Sequence, residues 1–151
     1  MRLSRASTYA LHALAFLAGR APAGPVASHH LAEADHSPDR FLLKALRPLV
    51  SAGLLRSLKG PNGGYRLARP ADTIILLEVV EAVEGPVRGE APRLKGKGVG
   101  PLDARLQAIC EQAAEQTRKG LAKVRLSHLV AGGGEGKAKG RRKEGGREAA
   151  G

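Results

Sequence analysis

The 151-residue sequence predicts a mainly α-helical fold carrying one small β-hairpin, and three observations predict it. Short apolar-polar runs at residues 54–58 and 65–67 flank a Gly-Pro-Asn-Gly-Gly segment over 60–64. Pro61 presets one backbone angle, and Asn62, Gly63 and Gly64 tolerate the positive φ values of a tight reversal. Three short helical patterns precede this hairpin, the third of them amphipathic. Beyond it, Leu102, Leu106, Ile109 and Ala113 recur at four- and three-residue spacings within one long helix. A basic hairpin directly after an amphipathic helix is the wing of a winged helix-turn-helix, here followed by a long C-terminal dimerisation helix.

The elements follow in order. Ser4 caps a first helix that runs to about Ala18 and ends at Gly19 before the Pro-rich residues 21–25. Pro25 and Ser28 open a second helix through Ala34. Asp35, His36 and Ser37 form a turn in which Ser37 is the N-cap and Pro38 takes the first helical position, where its missing N–H costs nothing. The third helix runs from Pro38 to about Ser51. Pro48 within it removes one hydrogen bond and is expected to bend or end the last turn early.

After the hairpin, residues 74–83 read as a fourth helix closed by Gly85 and Pro86, with Glu78, Glu81 and Glu84 on its exposed face. Residues 86–100 lack periodicity and read as a mobile loop. The long helix spans 102–124, and its narrow stripe suits a seam against the same helix of a second copy. Leu126 to Val130 add a short terminal helix. From Gly132 onward only Gly, Lys, Arg, Glu and Ala occur, too little apolar surface to fold, so a disordered basic tail is expected. The expected organisation is therefore a DNA-binding domain over 1–85, a loop over 86–100, dimerisation and terminal helices over 101–131, and the tail over 132–151.

Composition narrows the function. A net charge of +11 favours a polyanionic partner, because neutralising phosphates releases counterions. Tryptophan is absent and aromatic residues are scarce, which argues against base stacking. The single cysteine, Cys110, excludes an internal disulfide and any multi-Cys metal site built from this chain alone. Arg2 and Arg5 before an apolar stretch superficially imitate a signal peptide. The stretch is short, interrupted by His12, and patterned as a packed helix, and no window reaches the roughly 18 apolar residues of a membrane span. A cytoplasmic protein is expected. No nucleophile, base and orienting acid form a set, and residues 96–100 lack the spacing of a phosphate loop, so an enzyme is disfavoured.

In the third helix Phe41, Leu42, Ala45, Leu46, Leu49 and Val50 form the expected buried side. Arg40, Lys44, Arg47 and Ser51 line one exposed stripe at spacings of four, three and four. A recognition helix needs that division, with apolar residues docking it while polar groups reach base edges. Arg40 and Lys44, near its start, are the expected base readers, since each can donate to guanine O6 and N7. Lys59 and Asn62 sit at the wing tip, to enter a minor groove or grip phosphates. Arg56, Arg66 and Arg69 are expected phosphate ligands, Gly60 a turn residue with a free backbone N–H, and Ser28 and Ser37 helix-start contacts. His29, His30 and His36 lack carboxylate or thiol support, so no metal site is expected.

Residues 1–4, the block from Ser7 to Leu14, residues 54–70 and residues 77–85 closely resemble the BadM/Rrf-two family of bacterial transcriptional regulators, over roughly residues 1–131. The resemblance implies a winged-helix homodimer, joined through the long helix, that binds double-stranded DNA at pseudo-palindromic operators. Many members hold an iron–sulfur cluster through three loop cysteines. Residues 86–100 contain none, and Cys110 lies beyond the aligned positions, so a cluster held in that manner is not expected and no cofactor is assigned. Cys110, beside Ile109, reads first as a small packing residue at the dimer interface and second as a redox switch. The loop carries Arg88, Arg93, Lys95 and Lys97 instead. A small-molecule effector, a protein effector, thiol oxidation or no ligand all remain open. The competing reading is a basic nucleic-acid or chromatin protein without sequence specificity, which the tail (Lys137, Lys139, Arg141, Arg142, Lys143, Arg147) would suit.

Overall fold

The computed structural model describes residues 1–20, 24–93 and 100–131. It comprises helices α1 (Arg5–Gly19), α2 (Ser28–Ala34) and α3 (Asp39–Ser51), strands β1 (Leu55–Leu58) and β2 (Gly64–Leu67), and helices α4 (Leu76–Glu84), α5 (Pro101–Ala122) and α6 (Leu126–Ala131). The tail over 132–151 and the loop cations Lys95 and Lys97 lie outside the described residues. Among the described residues no helix is long and apolar enough to cross a membrane.

Leu42, Ala45, Leu46 and Leu49 bury one face of α3 against Ala10, Ala13, Leu14 and Leu17 of α1 and Leu31 and Ala32 of α2. Burial of each leucine contributes about 1.5–3 kcal/mol, so this three-helix contact anchors the domain. Ser4 caps α1 as expected, its Oγ accepting from the Ser7 N–H at 3.1 Å. The start of α3 differs from expectation. Pro38 itself is the N-cap, and Ser37 is turned inward, its N–H donating to the Ala32 carbonyl at 3.0 Å. His36 adopts the left-handed conformation, φ 50°, that reverses the chain between α2 and α3. Pro48 does not end α3, which continues to Ser51. It sits half-buried towards the solvent side, where the Lys44 carbonyl that loses its helix donor needs no protein partner.

The two strands pair antiparallel, with Leu55 opposite Leu67, Arg56 opposite Arg66, Ser57 opposite Tyr65 and Leu58 opposite Gly64. Positive φ occurs at Gly60 and Gly64, not at Asn62 or Gly63 as the turn composition suggested. The hairpin is extended by one residue of a third segment. Val26 donates to the Tyr65 carbonyl at 2.9 Å and accepts from the Tyr65 N–H at 2.8 Å, which pins the hairpin to the residues that open α2. A Cβ on Gly64 would overlap the Val26 backbone, and Gly64 also holds φ 149°.

The fourth helix starts two residues later than its apolar run, because Ile74 and Ile75 are extended and pair with the segment after α5. Leu126 N–H donates to the Ile74 carbonyl and Leu76 N–H to the Val124 carbonyl, each at 2.8 Å. These bonds stitch the end of the long helix to the start of α4, and α6 then packs on α1 with Leu126 buried.

The three α4 carboxylates are not a free solvated face. Glu84 accepts from Ser4 N–H at 2.7 Å and from Ser7 Oγ at 2.5 Å, Glu81 accepts from Val87 N–H, and Glu78 pairs with Arg69. The described part of the 86–100 loop is likewise strapped down. Gln107 donates to the Gly89 carbonyl at 2.7 Å and accepts from Ala91 N–H at 3.0 Å, and Arg118 donates to the Val87 carbonyl.

Two outcomes test this packing. Gly64→Ala should destabilise the fold by more than about 3 kcal/mol, combining strain with backbone overlap. Gly53→Ala, at φ 73° with open space around it, should cost about 1 kcal/mol; equal losses in urea unfolding would contradict the Val26 contact. The Ser7 hydrogen bond holds the Glu84 carboxyl below its ordinary range, and the Arg69 hydrogen bond does the same for Glu78. Depressed carboxylates stabilise the folded state above the unfolded value of about 4.3. That stability is lost as pH falls through their folded values. Glu84→Gln should therefore flatten the acid limb of a stability–pH curve, and an unchanged limb would show that the clamp contributes nothing.

Candidate nucleic-acid interface

The buried leucines of α3 orient its opposite side outward, and Arg40, Lys44, Arg47 and Ser51 are all exposed there. α3 leads through Gly53 into β1, so the stripe and the wing are consecutive parts of one surface. Val50 and Gly53 line a shared groove with Arg56, Leu58 and Arg66.

Arg56 and Arg66 stand directly opposite each other across the hairpin, both exposed. Like charges in that position repel and cost stability. A polyanion removes the cost. Lys59, Gly60 and Asn62 are exposed at the tip. None of Arg40, Lys44, Arg47, Arg56, Lys59 or Arg66 forms an ion pair among the described residues. Other cations are engaged, as with Arg118, which binds both Glu111 and Glu115.

Three expectations for this face need correction. Arg69 is not available to phosphate: its guanidinium grips Glu78 at 2.7 and 3.1 Å and the Thr73 carbonyl at 3.0 Å. Ser37 is only 9% exposed, its hydroxyl buried without a hydrogen-bond partner among the described residues, so it does not lie on the outer face. Phe41, placed in the core by its hydropathy, is 42% exposed and lies beneath the Arg40 guanidinium, 4.9 Å from ring centroid to Cζ. Ser28 is half-buried at the first position of α2, whose N-cap is Ala27. Leu43, 36% exposed beside the stripe, drew no attention in the sequence because one leucine among many carries no signal.

On α5, Leu102, Leu106 and Ile109 are 68%, 44% and 61% exposed, and Ala113 is exposed as well. The helix's own contacts with the domain use a different side, centred on Ala114. Cys110 falls at the edge between the two, half-buried, with its backbone packed on Gly89.

These features define a winged helix-turn-helix with an appended long helix, the architecture of a class of transcription regulators. The comparisons agree with that class. A family model for Rrf2, described as an iron-dependent transcriptional regulator, matches residues 3–132, and the chain belongs to that family. Protein aau3 of Rhizobium meliloti is 40% identical over 86 residues, covering 56% of this chain and 54% of that protein. The regulator IscR of Escherichia coli O1:K1 is 36% identical over 98 residues, covering 65% and 59%. The matches thus span little more than half the length of these curated relatives. The structure of CymR, the global cysteine regulator of B. subtilis, superposes with a TM-score of 0.70 at 23% identity, covering 87% of this chain and 97% of that one. IscR of T. potens gives a TM-score of 0.69 at 22% identity, covering 88% of each. At such identities the solved structures establish the fold.

The iron in the family's description invites a test of the donor set. The chain has one cysteine, and no three His, Cys, Asp or Glu side chains converge among the described residues. Clusters are held mainly by thiolates, so these residues do not fit such a group.

The division between free and engaged arginines gives a direct prediction. Arg69→Ala should lower the melting temperature by several degrees, since it removes a bidentate pair and leaves Glu78 with the Ile75 N–H alone. Arg66→Ala should leave it unchanged or raise it slightly by relieving the Arg56 contact. Melting curves of the two variants at low salt check this, and a loss at Arg66 as large as at Arg69 would contradict it.

Proposed function

We propose that this chain is a sequence-specific DNA-binding regulator of transcription, acting as a homodimer on a two-fold symmetric operator and acting as a repressor without an iron–sulfur cluster. Residues 1–85 form the DNA-binding domain and residues 101–131 the dimerisation unit. The observation that carries the reading is that the exposed cations of α3 and of the wing, Arg40, Lys44, Arg47, Arg56, Lys59 and Arg66, lie on consecutive parts of one surface with no ion pair among the described residues. A solvated basic face would not require the hairpin to be pinned through Val26 to the segment that opens α2.

In this reading the exposed stripe of α3 enters the major groove, with Arg40 and Lys44 nearest the base edges. Arg47, Arg56 and Arg66 hold the flanking phosphates, and Lys59, Gly60 and Asn62 reach the backbone or adjacent minor groove from the tip. Leu102, Leu106, Ile109 and Ala113 meet the same residues of a second copy. Isologous contact places two α3 helices on half-sites about one helical turn apart, roughly 34–36 Å. The surrounding medium of such a regulator is the cytoplasm.

Selection from a random duplex library at near-physiological salt tests the reading. A two-fold symmetric motif is expected, preferred over random duplex by several kcal/mol. Arg40→Ala should lose roughly 1–3 kcal/mol and relax preference at one position per half-site. Binding that depends steeply on salt but enriches no motif would make the protein a general nucleic-acid binder instead.

A further inference from the structure

The recognition face of α3 is not purely basic. At 100° per residue, Phe41 lies on one edge of the Arg40–Lys44–Arg47–Ser51 stripe and Leu43 on the other. Both expose apolar surface, 42% and 36%, although α3 has a fully buried leucine face a quarter-turn or so away. Phe41 lies in the first turn of the helix, the end from which recognition helices meet base edges. Its ring is covered on one face by the Arg40 guanidinium, 4.9 Å from the centroid. The contact joins a cation to an aromatic face and restricts the rotamers of both side chains.

Resting on the regulator reading, we propose that Phe41 is a specificity-determining residue that reads the C5-methyl group of a thymine next to the guanine contacted by Arg40. The chemistry follows from the stacking. A guanidinium that donates to guanine O6 and N7 lies near the plane of that base pair. A ring stacked on the guanidinium then lies at the level of the neighbouring pair. In the major groove the apolar group presented at that level is the methyl of thymine, and phenylalanine is among the side chains that contact it. The neighbouring cations fix the occupant. A basic stripe bordered by apolar side chains suits the floor of a major groove, where guanine acceptors and thymine methyl groups lie side by side, better than the apolar surface of another protein. Leu43, on the far edge, offers a second apolar contact without a partner cation of its own.

The test uses the full-length dimer and the duplex enriched by selection, with each thymine replaced in turn by deoxyuridine, which lacks only the methyl. For the unaltered protein, one thymine per half-site beside a guanine should weaken binding about fourfold when so replaced, corresponding to ~0.8 kcal/mol for one buried methyl. Phe41→Ala should bind the thymine duplex about as weakly as the unaltered protein binds the deoxyuridine one, and should be indifferent to that replacement. Phe41→Leu, which keeps an apolar tip, should retain part of the sensitivity.

Indifference of the unaltered protein to every thymine methyl, or a Phe41→Ala variant as sensitive as the parent, overturns the assignment. The deoxyuridine series on the parent needs no variant, so a misfolded mutant does not rescue it. Absence of any enriched duplex overturns the regulator reading itself and this inference with it. An enriched duplex bound without regard to its methyl groups overturns the inference alone.

Discussion

The pair of backbone hydrogen bonds between Val26 and Tyr65 is the constraint on which the rest of the surface depends. Together with the burial of Leu54 and Leu55 and the packing of Tyr65 and Leu67 on the core, it makes one unit of the hairpin and the helices. Val26 precedes α2, so the bridge fixes where the wing stands relative to the helix-turn-helix. Gly64 is required because no side chain fits between the two backbones. With the wing fixed, Arg56, Lys59 and Arg66 hold a set position relative to Arg40, Lys44 and Arg47. Preorganised cations lose little freedom on binding, which is why a locked wing binds better than a loose one.

Charge is distributed by the same logic. The carboxylates that the fold employs sit away from the recognition face: Glu78 holds Arg69, Glu84 holds the start of α1, and Glu111 and Glu115 hold Arg118. Six cations without a carboxylate partner, Arg40, Lys44, Arg47, Arg56, Lys59 and Arg66, follow one another along α3 and the wing. Placing Arg56 opposite Arg66 is unfavourable for the isolated chain, and a feature of that kind persists where a ligand relieves it. On α5, Leu102 and Ile109 stay exposed while the inner side of the helix packs through Ala114. The stitching of Ile74–Leu76 to Val124–Leu126 ties that helix to the helical core.

Much of this was legible in the sequence because periodicity and turn chemistry are local. The hairpin, the three helices before it, the capping by Ser4 and the α5 stripe all follow from spacings of a few residues. What escaped was long-range or marginal. Nothing near Glu84 in the chain announces that Ser4 and Ser7, about eighty residues earlier, are its partners, nor does Arg69 announce Glu78. Phe41 lies at the border between the two faces of α3, where hydropathy pointed inward and geometry turned the ring out. Ser37 missed its cap by one residue, and the loop before α5 looked free because its ties run through Gln107 and Arg118. The site was thus readable as a set of charges, and its apolar component was not.

The central claim is that α3 reads bases in the major groove from both halves of a dimer. Protection of guanine N7 from dimethyl sulfate, mapped on the duplex enriched by selection, tests it most directly, because N7 lies in that groove. The account predicts two symmetric sets of protected guanines about one helical turn apart. Each set should lose its protection in Arg40→Ala. A bound duplex whose guanines all remain reactive would place the contacts on the phosphates alone and contradict the account.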